Sequence, residues 1–353
     1  MQPEHRAWLA TCDESPLDPD IPICDPHHHL WDHPSERYLL EELRADTGAG
    51  HHVVRTVFVE CLSAYREDGP EELRPVGETE FVRAIAEQGR SSADQGATID
   101  GIVSYADLTL GAGVAAVLEA HAEAGGGLFR GIRHATSWDA SPEVHNAHTR
   151  PPQHLLTDPA FGFGLDTLGR LGFSFDAWLY HPQLDELAEL AAAHPDVPIV
   201  LDHLGGPLGV GPYAGRRDEV LERWRPAMAR LAELPNLHLK LGGIGMALYG
   251  LGWHHRPTAP SSQDLADAWG GVVSWCIERF GTDRCMFESN FPVDRRSCSY
   301  TVLWNAFQRM VEDASPTEKA DLFHDSASRF YRLDPTGDEA VVPSPSPRQE
   351  LRP

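Results

Sequence analysis

Eight short apolar or β-branched runs, separated by stretches of helical periodicity, constrain this chain more than any other feature. The runs cover residues 21–24, 53–61, 101–107, 128–134, 173–180, 197–201, 237–241 and 284–292. Helical patterns fill 79–90, 114–124, 184–193, 220–234 and 265–280, and two more, 300–313 and 317–330, follow the last run. The run 197–201 is apolar throughout, as a parallel strand covered on both faces requires, and Pro198 is tolerable there because it stands at the strand's start. Strand and helix alternating eight times predict an α/β protein, a (β/α)8 TIM barrel with extra C-terminal helices. A doubly wound open sheet is the alternative, disfavoured because no G-x-G-x-x-G follows the first strand.

The expected organisation is an N-terminal extension over 1–20, one barrel over 21–332, and a tail over 333–353 whose Pro343, Pro345, Pro347 and Pro353 read as disorder. A chain of 353 residues with 41% hydrophobic and 23% charged residues can bury a large core. Its formal net charge of −24 argues against nucleic acid and anionic membrane as partners and favours a small-molecule substrate. A homo-oligomer stays open. The six cysteines form no C-x-x-C pair, and no window reaches the roughly 18 apolar residues of a membrane span or has the layout of a signal peptide, so a reducing cytoplasm is expected.

All strand C-termini of a parallel barrel open on one face, so chemistry is sought there. The first run ends in Asp25-Pro26-His27-His28-His29-Leu30-Trp31. Alternation along an extended strand end puts His27 and His29 on one side, where they can grip one ion, and His28 on the other. The later strand ends add Glu60, His134, His181, His203, Lys240, Glu288 and Asn290. A His-rich set with two carboxylates suits zinc, manganese or iron. Glu60 and Glu288 at buried strand ends are costly unless paired with a metal or a base. The His51-His52 and His254-His255 pairs read as solvated loop residues, and core packing is the expected use of Trp178. No G-x-S-x-G elbow supports serine catalysis. The long connections 138–159 and 205–216 are expected to cover the pocket.

These residues resemble the amidohydrolase superfamily, and more narrowly its amidohydrolase-2 branch, which includes sugar lactonases and pyrone-dicarboxylate lactonase. The resemblance is carried by 25–31, by Arg130-Gly131-Ile132-Arg133, by Leu201-Asp202-His203-Leu204-Gly205, by Lys240-Leu241-Gly242-Gly243 and by 286–294, and it covers roughly residues 20–332. It implies that His27, His29 and His203 bind a metal or a substrate carboxylate, and that Arg130 and Arg133 hold an acidic or carbonyl-bearing substrate. It also implies that His181 and His203 take the places of the histidines that hold a second metal. The branch ends its eighth strand with an aspartate that ligates metal and acts as base. Here Asn290 stands in that place, and an amide neither carries the charge nor accepts a proton. Glu288 is on the same strand face and is the expected replacement, as ligand or base; Asp294 is a weaker candidate.

The expectation is therefore a metal-dependent hydrolase of an ester, lactone or amide. One or two divalent ions would be held by His27, His29, Glu60, His181, His203 and Glu288. Glu288, Asn290, Arg130, Arg133, His134 and Lys240 complete the candidate catalytic set. The same histidines and carboxylates also suit a non-haem di-iron monooxygenase, and the branch contains metal-dependent decarboxylases.

Overall fold

Alternation along the strands sorts their side chains into an inner and an outer core. In the computed structural model, which describes residues 2–33, 36–91 and 96–333, the strands are β1 (Ile23–His28), β2 (Val53–Val59), β3 (Thr98–Ser104), β4 (Phe129–Arg133), β5 (Ser174–Ala177), β6 (Ile199–Leu201), β7 (Leu237–Leu241) and β8 (Cys285–Phe287). They form one sheet in sequential order, every adjacent pair parallel. The segment after β8 returns to β1: the Asn290 N–H donates to His27 O (2.9 Å) and the His29 N–H to Phe291 O (2.8 Å). The expected (β/α)8 barrel is the observed one.

Phe58, Ile102, Ile132, Phe175, Leu201, Leu239 and Phe287 point outward and join the helices in the main core. Cys24, Val57, Val59, Val103, Val200 and Met286 point inward, where Ala327, Phe330, Tyr331 and Leu333 from the last helical segment pack against them. The C-terminal extension thus plugs the barrel from the end opposite the strand C-termini. Its expected single helix over 317–330 is broken into Pro316–Ala320, a π turn at Asp321–Asp325, and Ser326–Phe330. The tail beyond Leu333 lies outside the described residues.

Besides the seven-residue helix Pro3–Leu9, two helices went unread in the sequence, Leu40–Thr47 and Pro159–Arg170. The second carried a start signal, Asp158 before Pro159, and the Asp158 carboxylate does accept the Ala160 N–H at 2.8 Å. The long connection therefore ends one residue before Pro159, with a 3-10 turn at Leu155–Thr157 inside it.

The inner face also carries charge. Asp176 lies between the outward Phe175 and Ala177, and Lys240 between the outward Leu239 and Leu241, so both must point into the barrel. Lys240 Nζ is 2.7 Å from Asp176 Oδ2 and 3.0 Å from Asp202 Oδ1, with all three side chains fully buried. The Tyr331 hydroxyl donates to the same Asp176 oxygen at 2.6 Å, tying the plug to this ionic layer. Removing one partner of such a group strands the opposite charges. We predict that Lys240→Met lowers unfolding free energy by about 3–5 kcal/mol in urea titrations. The triple variant that also carries Asp176→Asn and Asp202→Asn should recover much of the loss. Equal stability of the single and triple variants would contradict the pairing.

Candidate active site

Directly above the ionic layer the strand ends bring together His27, His203 and Glu288. Glu288 follows the outward Phe287 and so faces the lumen. Its Oε2 is 2.7 Å from His27 Nδ1. Its Oε1 is 2.6 Å from His203 Nδ1 and accepts the His203 backbone N–H at 3.1 Å. One potential ligand atom from each of the three residues lies within 4.8 Å of the others, and all three residues are buried. Glycines after β7 make room for them. A Cβ on Gly242 would stand 2.2 Å from Glu288 Cγ, and one on Gly243, whose φ is +66°, would stand 2.7 Å from His203 Nδ1.

A second chain of contacts approaches from β2 and β4. Arg133 donates through Nε to Glu60 Oε1 at 2.8 Å, and a terminal nitrogen lies 3.3 Å from His27 Nε2. The other Glu60 oxygen meets His148 Nε2 at 3.0 Å, so the long loop after β4 is fastened to the barrel mouth through an imidazole. His29 stands edge-on to His27, ring centres 5.0 Å apart, and its Nδ1–H donates to Val59 O at 2.8 Å. His28 faces the other way, against Thr56 Oγ1 at 3.0 Å. Trp178, expected in the core, is half-buried and stands edge-on over His203, ring centres 4.7 Å apart.

Burial dominates the electrostatics. It drives His27 well below the ordinary imidazole range, helped by Lys240, and His29 down to about 3, helped by Arg133. Both rings are therefore neutral, as metal ligation requires. Burial pushes the Asp176 carboxyl up to about 6 against the pull of Lys240. At Asp202, Lys240, His203 and Arg133 together outweigh burial and hold the group low. Arg133, then His148, overcome burial at Glu60 and bring it to about 2.

Four buried carboxylates, Glu60, Asp176, Asp202 and Glu288, thus face two buried cations, Arg133 and Lys240. Glu288 Oε2 and both Asp202 oxygens accept no aligned hydrogen bond from the described residues, despite the nearby His27 and Lys240. An excess of buried negative charge beside the neutral His27 imidazole fits a divalent cation. His27, His203 and Glu288 are the residues that would hold it.

The remaining candidates do not join this cluster. Arg130 is corrected: it stands at the N-terminal end of β4, at the register shift between Phe129 and Gly131 and away from the strand C-termini, where it bonds Gly127 O. His181 Nδ1 takes the Leu208 N–H at 3.3 Å, and His134 Nδ1 takes the Leu108 N–H at 3.2 Å. Glu60 spends both oxygens on Arg133 and His148 instead of bridging toward Glu288. Lys240 is an ion-pair partner below the cluster, its Nζ 3.3 Å from His27 Nδ1. Asn290, at φ 54°, turns its amide to Asp294 Oδ1 at 2.8 Å, and Asp294 Oδ2 accepts the Gly245 N–H at 2.7 Å. His51, expected in solvent, is buried. Asp176, Asp202 and His148 were missed. The two aspartates had a signal, an acid inside or just after an apolar strand run; His148 had none.

The family model for amidohydrolases matches residues 24–333. The chain belongs to the amidohydrolase family. Amidohydrolases are enzymes, and hydrolysis is the chemistry the membership supports. The uncharacterised protein y4mH of Sinorhizobium fredii is 33% identical over 89% of this chain and 99% of its own length. An L-fucono-1,5-lactonase of Burkholderia multivorans is 26% identical, covering 88% of this chain and 95% of its own. An amidohydrolase from Burkholderia multivorans, solved once with bound HEPES and once with bound zinc, superposes with a TM-score of 0.69 in both forms. The two forms are 25% and 24% identical to this amidohydrolase and cover 88% of it and 99% of their own chains. No helix among the described residues is long and apolar enough to cross a membrane.

The Asn290 contact predicts how the protein responds to the aspartate usual at that position. Asn290→Asp would set two buried carboxylates against each other, and burial already lifts Asp294 to about 7. A carboxyl raised in the folded state costs stability as pH climbs from its unfolded value toward its folded one. The variant should therefore nearly match the parent near pH 4 and lose roughly 3 kcal/mol by pH 7, at about 1.4 kcal/mol per pKa unit. Urea unfolding across that range measures it; a deficit independent of pH would disprove the carboxylate contact.

Proposed function

We propose that this amidohydrolase opens the ring of a small-molecule lactone, with a divalent metal ion held by His27, His203 and Glu288. The observation that carries the reading is the buried His-His-Glu cluster at the barrel mouth, set in a surplus of negative charge. The likeness to an L-fucono-1,5-lactonase favours a lactone over an amide or an open ester, and the zinc in the structurally similar amidohydrolase favours zinc. A bound divalent ion lowers the pKa of water and polarises a carbonyl.

The chain's own groups supply the rest. Glu288 Oε2, without an aligned hydrogen bond, is the acceptor for the proton of the attacking water and the donor that returns it to the leaving alkoxide. Arg133, held rigid by Glu60, offsets negative charge that develops on the carbonyl oxygen. His148 and Trp178 cover the mouth and limit water to the reacting molecule. Asn290 has no proton-transfer role in this scheme; its amide fixes Asp294. Glu60, the second carboxylate a di-iron oxygenase was expected to use, is committed to Arg133 and His148.

Elemental analysis of protein purified without chelators should give about one zinc, or manganese in its place, per chain. Activity on a panel of five- and six-membered lactones should disappear on metal removal and return with the ion. Glu288→Gln should lower kcat by roughly 10²–10⁴-fold with little change in KM, the range for a lost acid-base group. Wild-type protein inert on every lactone, or Glu288→Gln at full rate, would sink the reading.

A further inference from the structure

The turn that carries His203 away from β6 is left-handed over four consecutive residues, with φ of 54° at His203, 56° at Leu204, 67° at Gly205 and 60° at Gly206. L-residues seldom visit this region, and then singly, because Cβ crowds the following carbonyl oxygen. Glycine relieves the last two positions, but His203 and Leu204 have no such relief. Strain of this kind persists only where the surroundings hold it, and it gathers at functional sites. Two bonds close the turn on itself: the Gly205 N–H donates to Asp202 O at 3.0 Å, and the Gly206 N–H to His203 O at 3.1 Å.

The remaining holds come from outside the turn. The Trp224 indole N–H donates to Leu204 O at 2.8 Å, and the His181 N–H donates to Gly206 O at 3.0 Å. At His203 itself the hold is the buried Tyr249 hydroxyl, which donates to His203 O at 2.6 Å. Tyr249 stands in the connection after β7, the same connection whose Gly243 leaves no room for a Cβ beside the His203 ring. The Gly209 N–H donates to Leu248 O at 2.8 Å and joins the two connections a second time. Tyr249 is itself wedged edge-on against Trp269, ring centres 5.0 Å apart. The imidazole springs from the same Cα whose carbonyl Tyr249 grips. Relaxation of that residue toward right-handed φ swings the ring away from His27 and Glu288.

We infer that Tyr249 is a positioning residue for His203: its hydroxyl holds the left-handed 203–206 turn that presents the imidazole to His27 and Glu288, and so sets how tightly the cluster binds its metal ion. The consequence for affinity rests on the metal reading above; the hold on the turn does not.

Tyr249→Phe removes the hydroxyl and keeps the ring, and His203 O keeps the Gly206 N–H, so no acceptor is stranded. Zinc affinity of the full-length protein, measured by competition with a chromophoric chelator, should fall about 10–100-fold, the range for losing a group that orients a metal-ligating side chain. Tyr38→Phe, which removes a buried tyrosine hydroxyl bonded to Asp46 at 2.8 Å, should bind zinc as the parent does. Hydrogen exchange on metal-free protein reads the turn directly. The Gly205 and Gly206 amides should exchange about tenfold faster in Tyr249→Phe, with Val200 and Leu201 of β6 unchanged. Zinc affinity unchanged in Tyr249→Phe, or an equal fall in Tyr38→Phe, overturns the positioning role, and so does exchange at Gly205 and Gly206 that stays at the parent rate. A parent that binds neither zinc nor manganese defeats the metal reading and with it the effect on affinity. Faster exchange confined to the turn would then still support the hold of Tyr249 on His203.

Discussion

The Lys240 ammonium, buried between Asp176 and Asp202, is the interaction on which the catalytic end of this barrel rests. A lysine out of water is tolerable only with its charge compensated, and here Lys240 on β7 is compensated by Asp176 on β5 and Asp202 just after β6. The arrangement fixes the relative height of β5, β6 and β7, and so the height at which His203 leaves β6 and Gly242 leaves β7. It also divides the lumen. Below it are aliphatic side chains and the Tyr331 plug, and above it are the imidazoles and Glu288. The lumen is a packed core on one side of this layer and holds the buried His-His-Glu cluster on the other.

Glu288 stands two residues before Asn290, the position where the sequence resemblance leads one to expect an aspartate. A glutamate two residues before Asn290 reaches the same lumen by strand alternation, but its longer side chain needs space. That space is supplied across the sheet by Gly242, where any Cβ would collide with Glu288 Cγ. Asn290 occupies a left-handed backbone conformation that asparagine adopts more readily than most residues and bonds Asp294. Three features form one local solution: an acid at 288, a glycine opposite it, and an amide at 290 where a second acid would have repelled Asp294.

The fold was legible because strand-helix alternation and inward-outward alternation are local patterns, each written within a few residues. His27, His203 and Glu288 were legible for the same reason: each stands at a strand end, and a barrel gathers strand ends regardless of sequence distance. What stayed hidden depends on depth and on loops. Arg130 and Arg133 look equivalent in a four-residue motif, and only their positions along the strand, with a register shift between Phe129 and Gly131, separate the guanidinium at the N-terminal end from the one at the mouth. Asp176 was readable in principle, because an acid inside an apolar strand needs a partner. Finding that partner meant matching it with Lys240, 64 residues away. His148 sits in a connection whose path no local rule fixes, yet it fastens that connection to Glu60.

Arg133 joins these parts into one unit. Its guanidinium reads Glu60 on one side and approaches His27 on the other, with Asp202 3.7 Å away as a third neighbour. Arginine suits this post better than lysine because a planar fork keeps several donors in fixed directions at once. The consequence is a continuous polar path from the loop that carries His148, through Glu60 and Arg133, to His27 and Glu288. A shift of that loop cannot leave the cluster untouched, since Glu60 would lose one of its two partners and Arg133 would lose part of what orients it. Loop position and the charge environment of the reacting centre are set by the same four contacts. That is why a histidine far from the strand ends belongs to the site.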